Sequence, residues 1–80
     1  MSLDDAIADM QGRILAVSPG AQIKLVKMSE EEARLSVLAP AGDLEAIKSA
    51  TFQPAMDYLN KEGFDLQVFP YDKDAPPLKY

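Results

Sequence analysis

The sequence predicts a small α+β domain, a two-layer sandwich in the order α-β-β-α-β, with a three-stranded mixed sheet and both helices on one face. Three observations carry this prediction. Apolar residues at helical spacing open the chain, two apolar runs punctuated by lysine flank Ser29-Glu30-Glu31-Glu32 as a hairpin would, and a third alternating run follows a second helical segment. Each helix then has one apolar face and the sheet one face rich in branched residues, so stacking helices on that face buries both at once.

In the first helix, Leu3, Ile7, Met10, Ile14 and Val17 recur at spacings of four, three, four and three. Ser2 suits the N-cap, Asp4 and Asp5 fall where the positive end of the helix dipole favours carboxylates, and Ser18-Pro19-Gly20 ends the helix.

The register of the hairpin follows from keeping lysine out of the core, because an unpaired buried ammonium is costly. Pairing Leu25 with Leu35 and Ile23 with Val37 leaves Ser29-Glu30-Glu31 as the loop. Ala21, Ile23, Leu25, Ala33, Leu35, Val37 and Ala39 then share the inner face, and Gln22, Lys24, Val26, Met28, Arg34, Ser36 and Leu38 the outer one. A slip of one residue would bury Lys24. Lys27 falls on the inner side but close enough to the turn to extend its head into water.

Pro40-Ala41-Gly42-Asp43 reads as a turn ending in an N-cap. Leu44 and Ile47 begin the second helical segment, and Pro54, which removes a hydrogen bond and crowds the preceding turn, predicts a break into pieces of about Leu44 to Thr51 and Pro54 to Lys61, with a kinked single helix as the near equivalent. Asp57 and Lys61 form a four-residue ion pair on that helix. Gly63 is a helix-ending residue. Phe64, Leu66 and Val68 alternate with Asp65, Gln67 and Phe69, giving the third strand. A crossover through the helices makes the second and third strands parallel, and placing the third strand beside the first gives the order 2-1-3. One domain spans 1–70, followed by an extended tail over 71–80 with two adjacent prolines and no periodicity.

Composition narrows the function classes. The chain of 80 residues has no His, Cys or Trp, and its net charge of −5 opposes nonspecific attraction to phosphate backbones and anionic lipid. Disulfides, thiolate nucleophiles and cysteine metal sites are excluded. The acidic start lacks the pattern of a signal peptide, and no apolar run approaches the roughly 20 residues that span a bilayer, so a cytoplasmic location is expected. Glu30-Glu31-Glu32 lacks the spacing of a calcium loop and reads as a solvated turn. No catalytic motif and no metal or cofactor site is expected.

The element order resembles that of K-homology-like and related small nucleic-acid-binding folds. Those domains grip phosphate with a Gly-x-x-Gly loop between two helices. The corresponding stretch here is Ser49-Ala50-Thr51-Phe52-Gln53-Pro54, so the resemblance covers the order of elements and not the motif. Lys24, Arg34 and Lys48 are the candidate phosphate contacts on that reading.

The outer sheet face is the more informative surface. Val26, Met28, Leu38 and Phe69 point away from the helices, with Tyr71 close behind and Arg34 among them. Contiguous exposed apolar side chains mark interfaces. Either Pro76, Pro77, Leu78 and Tyr80 of the tail fold back over this face, or a protein covers it. The second strand, if it lies at a sheet edge, offers a further site for a strand from a second copy or an extended peptide. The sequence thus predicts a noncatalytic interaction module, a homodimer or an accessory subunit, with Val26, Met28, Arg34, Leu38, Phe69 and Tyr71 at the interface. A nucleic-acid-binding module and a small-ligand regulatory domain are the alternatives.

Overall fold

A computed structural model describes residues 1–74 of the chain. Helix α1 (Leu3–Val17) is followed by strands β1 (Gln22–Lys27) and β2 (Glu32–Ala39), a short 3-10 turn (Ala41–Asp43), helix α2 (Leu44–Glu62) and strand β3 (Asp65–Asp72). The order α-β-β-α-β and the mixed three-stranded sheet match the sequence-based expectation.

Helix α1 starts as its sequence predicts. The Ser2 hydroxyl accepts from the Asp5 amide while the Asp5 carboxylate accepts from the Ser2 amide, a reciprocal capping box. Leu3, Ile7, Met10 and Ile14 are buried, whereas Val17, one step beyond, is exposed. The hairpin register is the one that keeps Lys24 out, with Ile23 opposite Val37 and Leu25 opposite Leu35. Lys27 does not simply extend into water. Its ammonium pairs with Asp4 of α1 at 3.0 Å and ties β1 to the start of the helix.

The strand order is β1-β2-β3, with β3 parallel to β2, not the expected 2-1-3. Burial gives the reason. Ala33, Leu35, Val37 and Ala39 of β2 are fully buried, so β2 is the strand that gains most from neighbours on both sides. Leu25 of β1, although on the inner face, is 41% exposed. β1 also carries two lysines, which suits an edge. β2 is therefore central, and among the described residues the sheet edges belong to β1 and β3.

Helix α2 runs unbroken through Pro54, contrary to the expected split. Proline removes only the bond to the carbonyl of Ala50, and packing on both sides of it holds the helix together. Ile47 and Thr51 before the proline are buried, and Ala55 and Tyr58 after it pack against the same core. Asp43 does not cap α2 with its side chain. Its carboxylate instead accepts from the buried Ser18 hydroxyl at 2.8 Å, joining the end of α1 to the start of α2. Gly63 ends α2 at φ 73°, a left-handed conformation that glycine adopts without a Cβ penalty. Asp57 accepts from Gln53 at 3.0 Å, and the ion pairs among the described residues do not include the expected Asp57–Lys61 pair.

β3 continues past the expected end at Phe69 to Asp72, which places Tyr71 inside the sheet opposite Leu38. The Lys73 amide closes the strand by donating to the Ala39 carbonyl at 2.9 Å. The core lies between the helices and the inner sheet face, where Leu3, Met10, Ile14, Leu35, Val37, Ile47 and Leu66 form one cluster. The remainder of the predicted tail, 75–80, lies outside the described residues.

Candidate functional site

The outer face of the sheet is built by register. Reading across the strands, Met28 stands beside Glu32 and Asp65, and Val26 aligns with Arg34 and Gln67. Lys24 then aligns with Ser36 and Phe69, and Gln22 with Leu38 and Tyr71. All six residues expected at the interface, Val26, Met28, Arg34, Leu38, Phe69 and Tyr71, are on this face and exposed. They do not form one uniform patch. Leu38, Phe69 and Tyr71 group at the end away from the hairpin turn, and Val26 of β1 and Met28 just after it group near the turn.

Arg34 joins the two groups. Its guanidinium carbon lies 5.4 Å from the centroid of the Phe69 ring, a cation–π arrangement that fixes a planar donor fork over an aromatic surface. Ser36, small and between Lys24 and Phe69 in the register, leaves room for this diagonal contact. At the turn end the face is polar and ordered: the Gln67 amide donates to Glu32 at 2.9 Å and to Asp65 at 3.2 Å. The face thus grades from an anionic, hydrogen-bonded rim to an aromatic and aliphatic end, with one stacked arginine between.

A second cluster joins the helices. The Tyr58 hydroxyl of α2 donates to Asp9 of α1, and Arg13 donates to the same carboxylate oxygen at 3.0 Å. These bonds hold the Asp9 carboxyl below its ordinary range, Tyr58 contributing most. Burial, then the hydrogen bond to Asp9, pushes the Tyr58 hydroxyl up to about 12. Tyr58 therefore keeps its proton throughout the neutral range and acts as a strut between helices, not as a base. Among the described residues no three acidic side chains gather as a metal site would need.

The surface that sequence reasoning missed is the cleft between α2 and β3. It encloses about 270 Å³, with Phe52, Ala55, Met56 and Leu59 on the helix side and Leu66, Val68 and Pro70 on the strand side. Phe52 is 68% exposed. The signal was in the spacing, because Phe52, Met56 and Leu59 repeat at four and three and form a stripe rotated away from Ile47 and Thr51. The expected break at Pro54 left Phe52 in the gap between two short helices, with Met56 and Leu59 in the second, and so concealed the stripe.

The alternative phosphate contacts do not converge. Lys24 and Arg34 lie on the outer face, with Glu32 and Asp65 on the same side, while Lys48 borders the cleft beside α2. Residues 49–54 are an uninterrupted part of α2, so no loop occupies the place of a phosphate-gripping turn. Among the described residues no helix is long and apolar enough to cross a membrane.

Comparison with protein-family models, with curated proteins and with solved structures gave no match. The class defined by fold and site is that of a two-layer α+β domain whose sheet has a partly aromatic face left exposed by the described residues.

Proposed function

We propose that this protein is a noncatalytic interaction module that docks a protein partner on the outer face of its sheet. One observation carries the reading: Arg34 is stacked on Phe69, with Leu38 and Tyr71 beside them on a face that no helix among the described residues covers. Arginine and aromatic side chains are enriched at the energetic centres of protein interfaces, where a planar cation and a rigid ring add contact area at low entropic cost. The ordered polar group Glu32, Gln67 and Asp65 supplies directional contacts at the rim. The same anionic side chains disfavour phosphate, so a protein surface fits this face better than nucleic acid.

The test is site-specific photo-crosslinking from position 38 in cells that make the protein, carried out with and without Phe69→Asp. The expected result is a discrete crosslinked protein that disappears when Phe69 is replaced, while the circular dichroism spectrum of the variant is unchanged. Crosslinking that survives Phe69→Asp would place the docking surface elsewhere. Binding to nucleic acid that falls steeply with added salt would favour the phosphate reading instead.

A further inference from the structure

We propose that a second copy of this chain adds across the edge of β3 left open by the described residues, on a two-fold axis at Val68 or Phe69, forming a continuous six-stranded sheet from the two three-stranded ones. This surface is distinct from the outer face, and the inference does not depend on the docking assigned to that face.

Main-chain hydrogen bonds fix the phase of the edge. Asp65 donates to the Glu31 carbonyl at 2.7 Å and Lys73 to the Ala39 carbonyl at 2.9 Å, so the odd-numbered residues of β3 direct their amides towards β2. Leu66, Val68, Pro70 and Asp72 accordingly turn their main-chain groups to the open side. Proline has no amide hydrogen, and the neighbouring Phe64 amide is already engaged by the Tyr58 carbonyl at 3.2 Å. Among the described residues of β3, open donors therefore remain at Leu66, Val68 and Asp72.

This pattern is self-complementary in two antiparallel registers, since with the axis at Phe69 Val68 meets the carbonyl of Pro70 while Leu66 and Asp72 exchange bonds, again three amides per protomer. With the axis at Val68, Val68 pairs with itself, Leu66 meets the carbonyl of Pro70 in the second copy, and Asp72 meets the carbonyl of Phe64. Each protomer donates from three amides, and each donorless position stands opposite a donor. Moving the axis to Gln67 pairs Leu66 with Val68 but sets Pro70 opposite Phe64, two positions with no amide to give. It also leaves Asp72 opposite Glu62, which is still in the helix. Pro70, which blunts the edge towards any strand that needs its donor, is thereby accommodated.

The side chains agree with the backbone. Leu66, Val68 and Pro70 line the cleft under Phe52, Met56 and Leu59. A two-fold axis normal to the sheet sets both α2 helices on the same side, so the stripe meets its own copy running in the opposite direction. α2 begins beside the end of β3 and ends beside its start, because Ala39 pairs with Asp72 and Gly63 leads into the strand. Lys48, near the start of α2, therefore comes opposite the carbonyl-rich end of the other α2, where the helix dipole favours a cation. The β1 edge is guarded by contrast, since Lys27 projects inward there to reach Asp4.

The test is sedimentation equilibrium over a wide concentration range on the full chain, with three variants. Val68→Pro removes a donor that faces away from β2, and Phe52→Glu charges an exposed position, so both keep the fold. Each is expected to weaken dimerisation roughly tenfold or more, from lost main-chain bonds and lost apolar contact respectively. Leu38→Asp, on the outer face of the central strand, is expected to leave the dimer intact. A wild-type chain that stays monomeric at every concentration, including one whose edge takes only a peptide, overturns the proposal. So does a dimer unaffected by Val68→Pro and Phe52→Glu, or one dissolved by Leu38→Asp alone.

Discussion

Leu66 and Phe69 lie three residues apart on β3 and face opposite sides of the sheet, so the same substitution at the two positions is expected to have unlike effects. Leu66 is 4% exposed and belongs to the core, whereas Phe69 is 39% exposed on the outer face. Leu66→Asp forfeits roughly 1.5–3 kcal/mol of apolar transfer and adds several kcal/mol for an unpaired carboxylate among apolar neighbours. A chain of this length has a total stability of about 4–12 kcal/mol at typical per-residue values, so the variant is expected to be largely unfolded. At Phe69 about six-tenths of a side chain that buries some 150–250 Å² is already covered, an upper bound near 4 kcal/mol at about 25 cal/mol per Å². The new carboxylate beside Arg34 and its retained methylene offset part of this, leaving a loss of about 1–2 kcal/mol. Urea unfolding followed by circular dichroism distinguishes the cases: a cooperative transition with a lowered midpoint for Phe69→Asp, and no native baseline for Leu66→Asp. If Phe69→Asp is unfolded in buffer, or Leu66→Asp retains a native baseline, the assignment of the two faces is wrong.

Four further variants test the contacts described. Tyr58→Phe is expected to lower stability by about 1 kcal/mol at neutral pH, because the Asp9 carboxylate loses a donor at a partly solvated site. Its folded-state pKa is raised, so the contribution of Tyr58 is complete below the ordinary tyrosine range and is lost as pH rises towards about 12; alkaline unfolding curves should be flatter for Tyr58→Phe than for the parent. Asp9 is lowered, so its contribution holds above the ordinary carboxylate range and is lost on acidification, and acid titration of Asp9→Asn should lack that component. Pro54→Ala restores a helix-interior donor and is expected to stabilise by about 1–3 kcal/mol in thermal unfolding, a decrease showing instead that packing depends on the proline ring. Ser18→Ala leaves the Asp43 carboxylate without its buried donor and should destabilise by about 1–3 kcal/mol, measured by urea unfolding at neutral pH.

The elements that were legible are those fixed by local chemistry. Ser2 and Asp5 announce a capping box within four residues, and the lysines at 24 and 27 leave the hairpin one register that spares Lys24. Strand order was not legible because it is decided by the relative burial of whole strands. Nothing local distinguishes the neighbour of β3, whereas the complete burial of Ala33, Leu35, Val37 and Ala39 does. The continuity of α2 likewise depends on tertiary packing at Ile47, Thr51, Ala55 and Tyr58 overriding the local penalty at Pro54. The outer face was legible residue by residue from period two. Its division into two groups was not, since the contact of Arg34 with Phe69 requires the β2–β3 alignment.

That alignment also governs the sequence of events in folding. Glu32 meets Asp65 and Ala39 meets Asp72, so every β2 residue in the ladder waits for a partner 33 positions later. The β1–β2 hairpin is local and closes in about 1–10 μs, whereas the parallel pair must first close the loop through α2. In the interval the apolar central strand has one paired edge and one open edge. Any slowing of α2, or loss of β3, lengthens the time for which that open edge can recruit another chain and so sets the aggregation hazard of the nascent domain.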